Sequence, residues 1–367
     1  MRFAVTGVLD AIEKRLTTDA TLAAAVIDLA AVAGYADLDG GRPVNLLRVG
    51  MAVDALAALT GEDGSALYPV APRALLGDAD ITSKERMVLG RWADDGLIEV
   101  VPDLGDRVPE VAGLTGLPVI TPYPLDGFAD RHPWVIHRAD RVLRLQPHAG
   151  GARIVAPAGA GRPTTPEGAG AALLSRLWRC DREDCPSFGP RRALQQPVPR
   201  LRVGVPSCPR HDVPLAGLGP RPPAAVMVAV VDGAVRARFA VRAGRPVPVG
   251  RAPDDPESVE LGPWLSGDAA REISRAHVVL EMGADGTLSA VDSSTNGTTI
   301  LTRTGPDAPA EQVRLERGHP YALGAFDTVR LHPGVEIVPA DRAPTAEARS
   351  SSSVLADAPT VIFRPQG

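Results

Sequence analysis

Two stretches that cannot build a core set the first limits on this fold. Residues 156–172 are dominated by Ala, Gly, Pro and Thr, and residues 216–223 close a run rich in Pro and Gly, so both read as connectors. They divide the 367 residues into units at 1–155, 173–215 and 224–340, each needing its own buried surface, and a tail at 341–367. The tail is rich in Ser, Ala and Pro and reads as disordered. No internal repeat at a solenoid period is present.

Charge is spread unevenly over these pieces. Met1–Pro102 carries 9 basic and 15 acidic residues, Asp103–Pro223 carries 16 and 11, and Ala224–Ala340 carries 11 and 15. A duplex-binding module presents a basic face, which only the centre of the chain could supply, so nucleic acid is not an expected partner. The best candidate for a membrane span, Thr21 to Ala36, is shorter than the roughly 18–20 apolar residues required and is interrupted by Asp28. Met1–Arg15 has no signal-peptide shape, so a cytoplasmic protein without membrane contact is expected. Lys occurs only at Lys14 and Lys84 against 37 Arg, a bias of high-GC bacterial codon usage that says nothing about fold.

The spacing of apolar residues predicts a mainly helical N-terminal unit. Leu46, Val49, Val53, Leu56 and Leu59 fall on one helical stripe. A second helix has Thr82 and Glu85 as a capping box, Val88, Leu89 and Trp92 on one side, and Gly96 past its end. Leu97–Val101 reads as a strand, and Trp134–His137 with Val142–Leu145 as two strands of a hairpin. Helix, glycine and short strand over residues 45–102 resemble the recognition helix and wing of a winged-helix domain. A helical interaction domain that ends in a strand fits the same pattern, and the acidic charge favours it.

All three cysteines lie in the central unit, as Cys180-x4-Cys185-x22-Cys208-x2-His211. Thiolate and imidazole donors in such a set suit a closed tetrahedral Zn²⁺ site without an open position for catalysis. The Cys185 and Cys208–His211 segments resemble the two knuckles of a zinc ribbon, although the first has four intervening residues where two is commoner. Three unligated thiols in a loop are the alternative. Eight arginines between Arg176 and Arg210 accompany the cluster, and a structural spacer is the preferred reading over a nucleic-acid ribbon.

Within Ala224–Ala340, strand-like runs recur at Val226–Val231, Val235–Val241, Val247–Val249, His277–Glu281, Thr287–Val291, Thr298–Leu301 and Val329–His332. Short strands at this density predict an antiparallel sandwich, so the fold class expected for the whole chain is multidomain α+β. Three motifs follow in order: Gly250-Arg251, Ser274-Arg275-Ala276-His277, and Ser294-Thr295-Asn296-Gly297-Thr298. Together they resemble the signature of the forkhead-associated (FHA) family over about 117 residues. That resemblance implies a phosphothreonine-binding adaptor, with Arg251, Ser274, Arg275 and Thr295 facing the phosphate and Asn296 gripping the peptide backbone. Gly250, His277 and Gly297 would be structural, and a Ser/Thr kinase and its phosphorylated product would be the partners. A fork-shaped guanidinium with neutral donors on a rigid rim is what a phosphate dianion requires. Between Leu261 and Ser274 the chain inserts Gly262–Ile273, longer than the family's usual loop. No P-loop, Rossmann glycine pattern, kinase motif or nucleophile elbow is present, so no enzymatic activity is expected. A phosphorylation-controlled transcription regulator, reading DNA through residues 45–102, is the alternative function. In the tail, Thr360 followed by Val361-Ile362-Phe363-Arg364 resembles segments that bacterial kinases phosphorylate in small FHA proteins.

Overall fold

The structure, a computed structural model, describes residues 2–156, 163–190, 196–255, 257–305 and 308–344. They form two compact units, the first within Met1–Thr60 and Ser65–Arg221, the second from Pro222 on together with Gly61–Gly64. Thr360 and the tail beyond residue 344 lie outside the described residues. No described helix is long and apolar enough to cross a membrane.

The first unit is built on a sheet. Strands β1 (Ala23–Asp28), β2 (Ala66–Pro72), β3 (Glu99–Val101), β4 (Val119–Thr121) and β5 (Val142–His148) run parallel in the order β3-β2-β1-β4-β5. Strand β6 (Gly151–Val155) closes the edge antiparallel to β5. Around the sheet lie α1 (Arg2–Glu13), α2 (Leu29–Ala33), α3 (Leu47–Thr60), α4 (Arg73–Leu76), α5 (Ser83–Asp94), α6 (Arg107–Thr115) and α7 (Trp134–His137). Strand β1 feeds both faces. Ala25 and Ile27 join one core with Leu9, Ile12, Leu56 and Trp92, while Val26 joins a second with Tyr68, Val111 and Val119.

This sheet corrects the expected mainly helical, winged-helix-like unit. The capping box forms, with Glu85 N donating to Thr82 Oγ1 at 3.3 Å and Thr82 N to Glu85 Oε2 at 3.2 Å. The strand after it, however, is β3, paired parallel to β2 with Val70 opposite Glu99, whereas a wing is an antiparallel hairpin. Trp134–His137 is one turn of helix, following Pro133, and the hairpin is made by β5 and β6. Leu59, at the end of the α3 stripe, is exposed.

The cysteine region belongs to the same unit. After α8 (Gly168–Leu174), β7 (Arg176–Arg179) pairs antiparallel with β10 (Ala216–Pro220), and β8 (Arg200–Arg202) with β9 (Val205–Ser207). The approach to β8 is held against the sheet by buried polar groups. Val198 N donates to Tyr68 Oη at 3.1 Å, and Arg107, fully buried and paired with Glu99, donates to the carbonyls of Val198 and Pro199.

The second unit is the expected sandwich. One sheet has the order β12-β11-β21-β20-β17-β18, comprising β11 (Ala224–Val231), β12 (Ala234–Arg242), β17 (Thr299–Thr302), β18 (Glu311–Arg314), β20 (Thr328–His332) and β21 (Val335–Pro339). The other has the order β14-β13-β15-β16-β19, comprising β13 (Val247–Gly250), β14 (Val259–Glu260), β15 (Val278–Met282), β16 (Leu288–Asp292) and β19 (Pro320–Ala322). Met227, Val241, Ile300 and Ile337 from the first sheet meet Val249, Leu280 and Ala290 from the second in one core. All seven expected strands are present, and β14, β18, β19 and β21 are additional. His277 and Thr298, expected as first strand residues, sit just outside β15 and β17, at the loops that carry the motifs.

Candidate functional site

Three loops at one edge of the sandwich bring the motif residues together. Gly250 ends β13, where a Cβ would run into the Arg275 carbonyl and lie 2.8 Å from His277 N, so only glycine permits this approach. The two loops are laced through their backbones: Arg251 N donates to Ser274 O at 2.9 Å and Ala252 N to Arg275 O at 3.1 Å. His277 N in turn donates to Val249 O at 2.9 Å, and Ser293 N to His277 O at 3.0 Å, which brings in the third loop.

His277 is fully buried, and its Nδ1 accepts from Ser274 N at 3.2 Å. The ring proton therefore sits on Nε2, which has no hydrogen bond of good geometry. Burial pushes the ring's pKa down against the pull of Asp292 and the Gly297 carbonyl. A neutral imidazole with its free nitrogen occupied braces the Ser274 loop and cannot serve as a base for anything in solvent.

Of the polar side chains on these loops, Arg251, Arg275, Thr295 and Asn296 are exposed and Ser274 is half-buried. Ser274 Oγ accepts from Thr295 N at 3.1 Å, which leaves its own proton to donate. Thr295 and Asn296 are exposed, and Asn296 Nδ2 donates to Glu272 O at 2.9 Å. Arg251 is exposed and gives Nη1 to Ala270 O at 2.9 Å, and among the described residues it is paired with no carboxylate. Arg275 differs. Its guanidinium is engaged by Asp254, so an anion would have to compete for it with a carboxylate.

Sequence reasoning missed the groups that shape the third loop. Asp292, buried at the end of β16, accepts from Ser294 Oγ at 2.7 Å, Thr298 Oγ1 at 2.7 Å and Ser294 N at 3.2 Å. Ser294 Oγ then accepts from Gly297 N at 2.7 Å, closing a turn in which Gly297 has φ +82°. The signal was available, since an Asp two residues before a Ser is an Asx-turn pattern. The Arg314 guanidinium holds the Asn296 carbonyl, and nothing in the sequence pointed to it.

In the first unit, Cys180, Cys185, Cys208 and His211 converge, with donor atoms all within 4.8 Å of one another. The Cys185 and Cys208 sulfurs are 3.8 Å apart, and His211 Nδ1 lies 3.5 Å from the Cys180 and 3.6 Å from the Cys208 sulfur. A tetrahedral ion with metal–sulfur bonds of about 2.3 Å and metal–nitrogen bonds of about 2.0–2.1 Å has edges of roughly 3.8 Å and 3.5–3.6 Å. Three of the six donor separations match those edges, and the rest are no longer than 4.8 Å. Within the close thiol pair, the hydrogen bond from Cys208 holds the Cys185 thiol below its usual range, while the Cys208 proton becomes hard to remove.

A doubly wound sheet offers a crevice at its switch point, here between β1 and β4. Asp28 at the end of β1 is already committed there, accepting from Ala31 N at 2.9 Å as the cap of α2. A cavity of about 330 Å³ is lined by Asp106, Glu110, Arg131, His132, Arg200 and Arg202. Both carboxylates are already engaged, Asp106 by Arg131, His132 and Arg200 and Glu110 by Arg107 and Arg200, and Arg202 pairs with Asp212.

No family model matches the chain, and no curated protein matches it. Among solved structures, the chain resembles FHA domains over about a third of its length. The MEK1 FHA domain is 21% identical with a TM-score of 0.24, over 32% of this chain and 87% of that one. The FHA domain of the CT664 protein from Chlamydia trachomatis is 21% identical with a TM-score of 0.24, over 31% and 94%. The N-terminal FHA domain of Rad53p from S. cerevisiae, solved with a phosphothreonine peptide, is 19% identical with a TM-score of 0.23, over 32% and 95%.

Proposed function

We propose that the second unit reads phosphothreonine on a partner protein and that the chain is an adaptor in bacterial Ser/Thr kinase signalling, not an enzyme. The observation that carries the reading is Arg251. It is an exposed guanidinium without a carboxylate partner among the described residues, fixed on a rim where Ser274 and Thr295 supply neutral donors and Asn296 an amide. A phosphate dianion takes charge-assisted bonds from such a fork, each roughly twice as strong as a neutral one. Arg275 contributes less than its place in the motif suggests, because Asp254 already engages it. The charge of the segment offers no broad basic field, so recognition rests on these local groups.

The test is a degenerate phosphothreonine peptide library passed over the immobilised full chain, read by mass spectrometry beside the same library without phosphate. Retention of phosphorylated members alone, lost with Arg251→Ala, supports the reading. Equal retention of both libraries rejects it.

We further propose one structural Zn²⁺ per chain, held by Cys180, Cys185, Cys208 and His211. The sulfur–sulfur and sulfur–nitrogen separations that match the edges of a zinc tetrahedron support it. All four positions would be filled by protein, so the ion would join two short two-stranded sheets whose own core is small: Leu173, Trp178, Phe188, Leu215 and the cysteines. Elemental analysis of protein purified without added metal should find zinc near one equivalent, lost in Cys208→Ser. A metal-free, fully stable wild type rejects the site.

A further inference from the structure

We infer that the inserted segment Gly262–Glu272 is a positioning element for the phosphothreonine site, whose last helical turn orients Arg251 and Asn296 through backbone carbonyls. This rests on the reading above. The segment contains a single turn at Gly262–Trp264 and the short helix α9 (Gly267–Glu272). A helix leaves its last four carbonyls without internal partners, and that end carries partial negative charge. Two of those carbonyls, Ala270 and Glu272, accept from Arg251 Nη1 and Asn296 Nδ2, each at 2.9 Å.

The insert is itself fixed. Trp264, Leu265 and Ala269 pack against the sandwich core, and Ile273, just beyond, is fully buried. Its first residue is tied to the site as well, since Gly262 N donates to Arg251 O at 2.9 Å. Arg251 is thus held at its backbone and its side chain by one segment. The contacts leave most of each side chain's capacity unused. Four of the five guanidinium N–H groups, one amide proton and the side-chain Oδ1 of Asn296 are free of the insert. The carbonyls therefore orient the donors without consuming them.

Both residues have long or rotatable side chains on an exposed rim, and without the insert each would have to be immobilised by the ligand. Immobilising side chains of this kind weakens binding, and two of them together correspond to about tenfold in affinity. A loop that merely covered the rim would have the opposite sign, and its removal would strengthen binding.

The experiment uses the full chain and the tightest phosphothreonine member of the degenerate library. In one variant Gly-Ser replaces Ser266–Arg271. In a second, Arg271→Pro breaks the last turn while leaving the core residues in place. A control, Asp268→Ser with Arg271→Ser, removes an exposed ion pair and keeps the carbonyls. The first two should lose about tenfold in affinity, with the control within twofold. Asn296→Ala should cost much less in the Arg271→Pro background than in wild type, a coupling that general loosening of the fold does not produce. Wild-type binding with unchanged or tighter binding by the helix-broken variants overturns this inference alone. A wild type that retains no phosphorylated peptide overturns the reading beneath it, and this inference with it.

Discussion

Replacing Asp292 tests whether the third loop is shaped as described. The carboxylate is buried and accepts three hydrogen bonds, from the Ser294 hydroxyl and amide and the Thr298 hydroxyl. Hydrogen bonds to a charged group contribute about 1.5–3 kcal/mol each, but the two hydroxyls can turn to other acceptors once it is gone. Asp292→Ala should therefore cost about 3–4 kcal/mol, a little more than one full bond and two partial ones. Asp292→Asn keeps an acceptor in place and loses only charge assistance, for about 1–2 kcal/mol. For a unit of this size the alanine variant should melt roughly 10–15 °C lower. Thermal unfolding gives the ranking, and hydrogen exchange of a peptide spanning residues 292–301 localises it, because the Gly297 amide depends on Ser294 Oγ. Alanine and asparagine variants both as stable as wild type, with exchange unchanged, would refute the reasoning.

Gly250→Ala should destabilise the second unit by about 1–3 kcal/mol and weaken phosphopeptide binding, since the added methyl meets two backbone groups that cannot move independently. Paired melts and peptide titrations check it, and a neutral substitution would contradict the close approach. His277 has a pKa lowered by burial, so below about pH 6.5 the unfolded chain binds more protons than the folded one and stability falls as pH falls. The second unit of wild type should lose stability between pH 7 and 5 in a way that His277→Gln does not, measured by denaturant midpoints at each pH. Glu99→Ala should destabilise the first unit by about 3–5 kcal/mol, because Arg107 is left charged and fully buried. Retained stability in urea would show that Glu110 and the Val198 and Pro199 carbonyls suffice.

The two units were unequally legible in the sequence, for physical reasons. In the second, apolar residues alternate along strands such as Val235–Val241, and the loops need particular residues: glycine at 250 for contact, His277 to accept from Ser274 N, glycine at 297 for a positive φ. In the first, β1 reads Ala-Ala-Ala-Val-Ile-Asp, buried on both faces, and such a strand shows no alternation to separate it from a helix. Strands β3 and β4 are three residues each, too short for any period to register. The four apolar-to-polar residues Trp134–His137 were equally ambiguous, and the helix is fixed by tertiary contacts. The Trp134 indole donates to Pro109 O at 3.0 Å, and the Arg141 guanidinium lies 4.5 Å from its ring centre. The roles of the Ala270 and Glu272 carbonyls were not legible, because any residue supplies a carbonyl. Only the extra length of the insert marked the place.

A phosphothreonine reader of this kind requires Arg251 to make a phosphate-dependent contact. Calorimetric titration of one phosphothreonine peptide, with its phosphoserine and unphosphorylated counterparts, into the full chain and into Arg251→Ala tests it most directly. Wild type should bind only when the phosphate is present, and Arg251→Ala should lose about one to two decades in affinity while its melting temperature is unchanged. Equal affinity of wild type and Arg251→Ala for the phosphorylated peptide would contradict it.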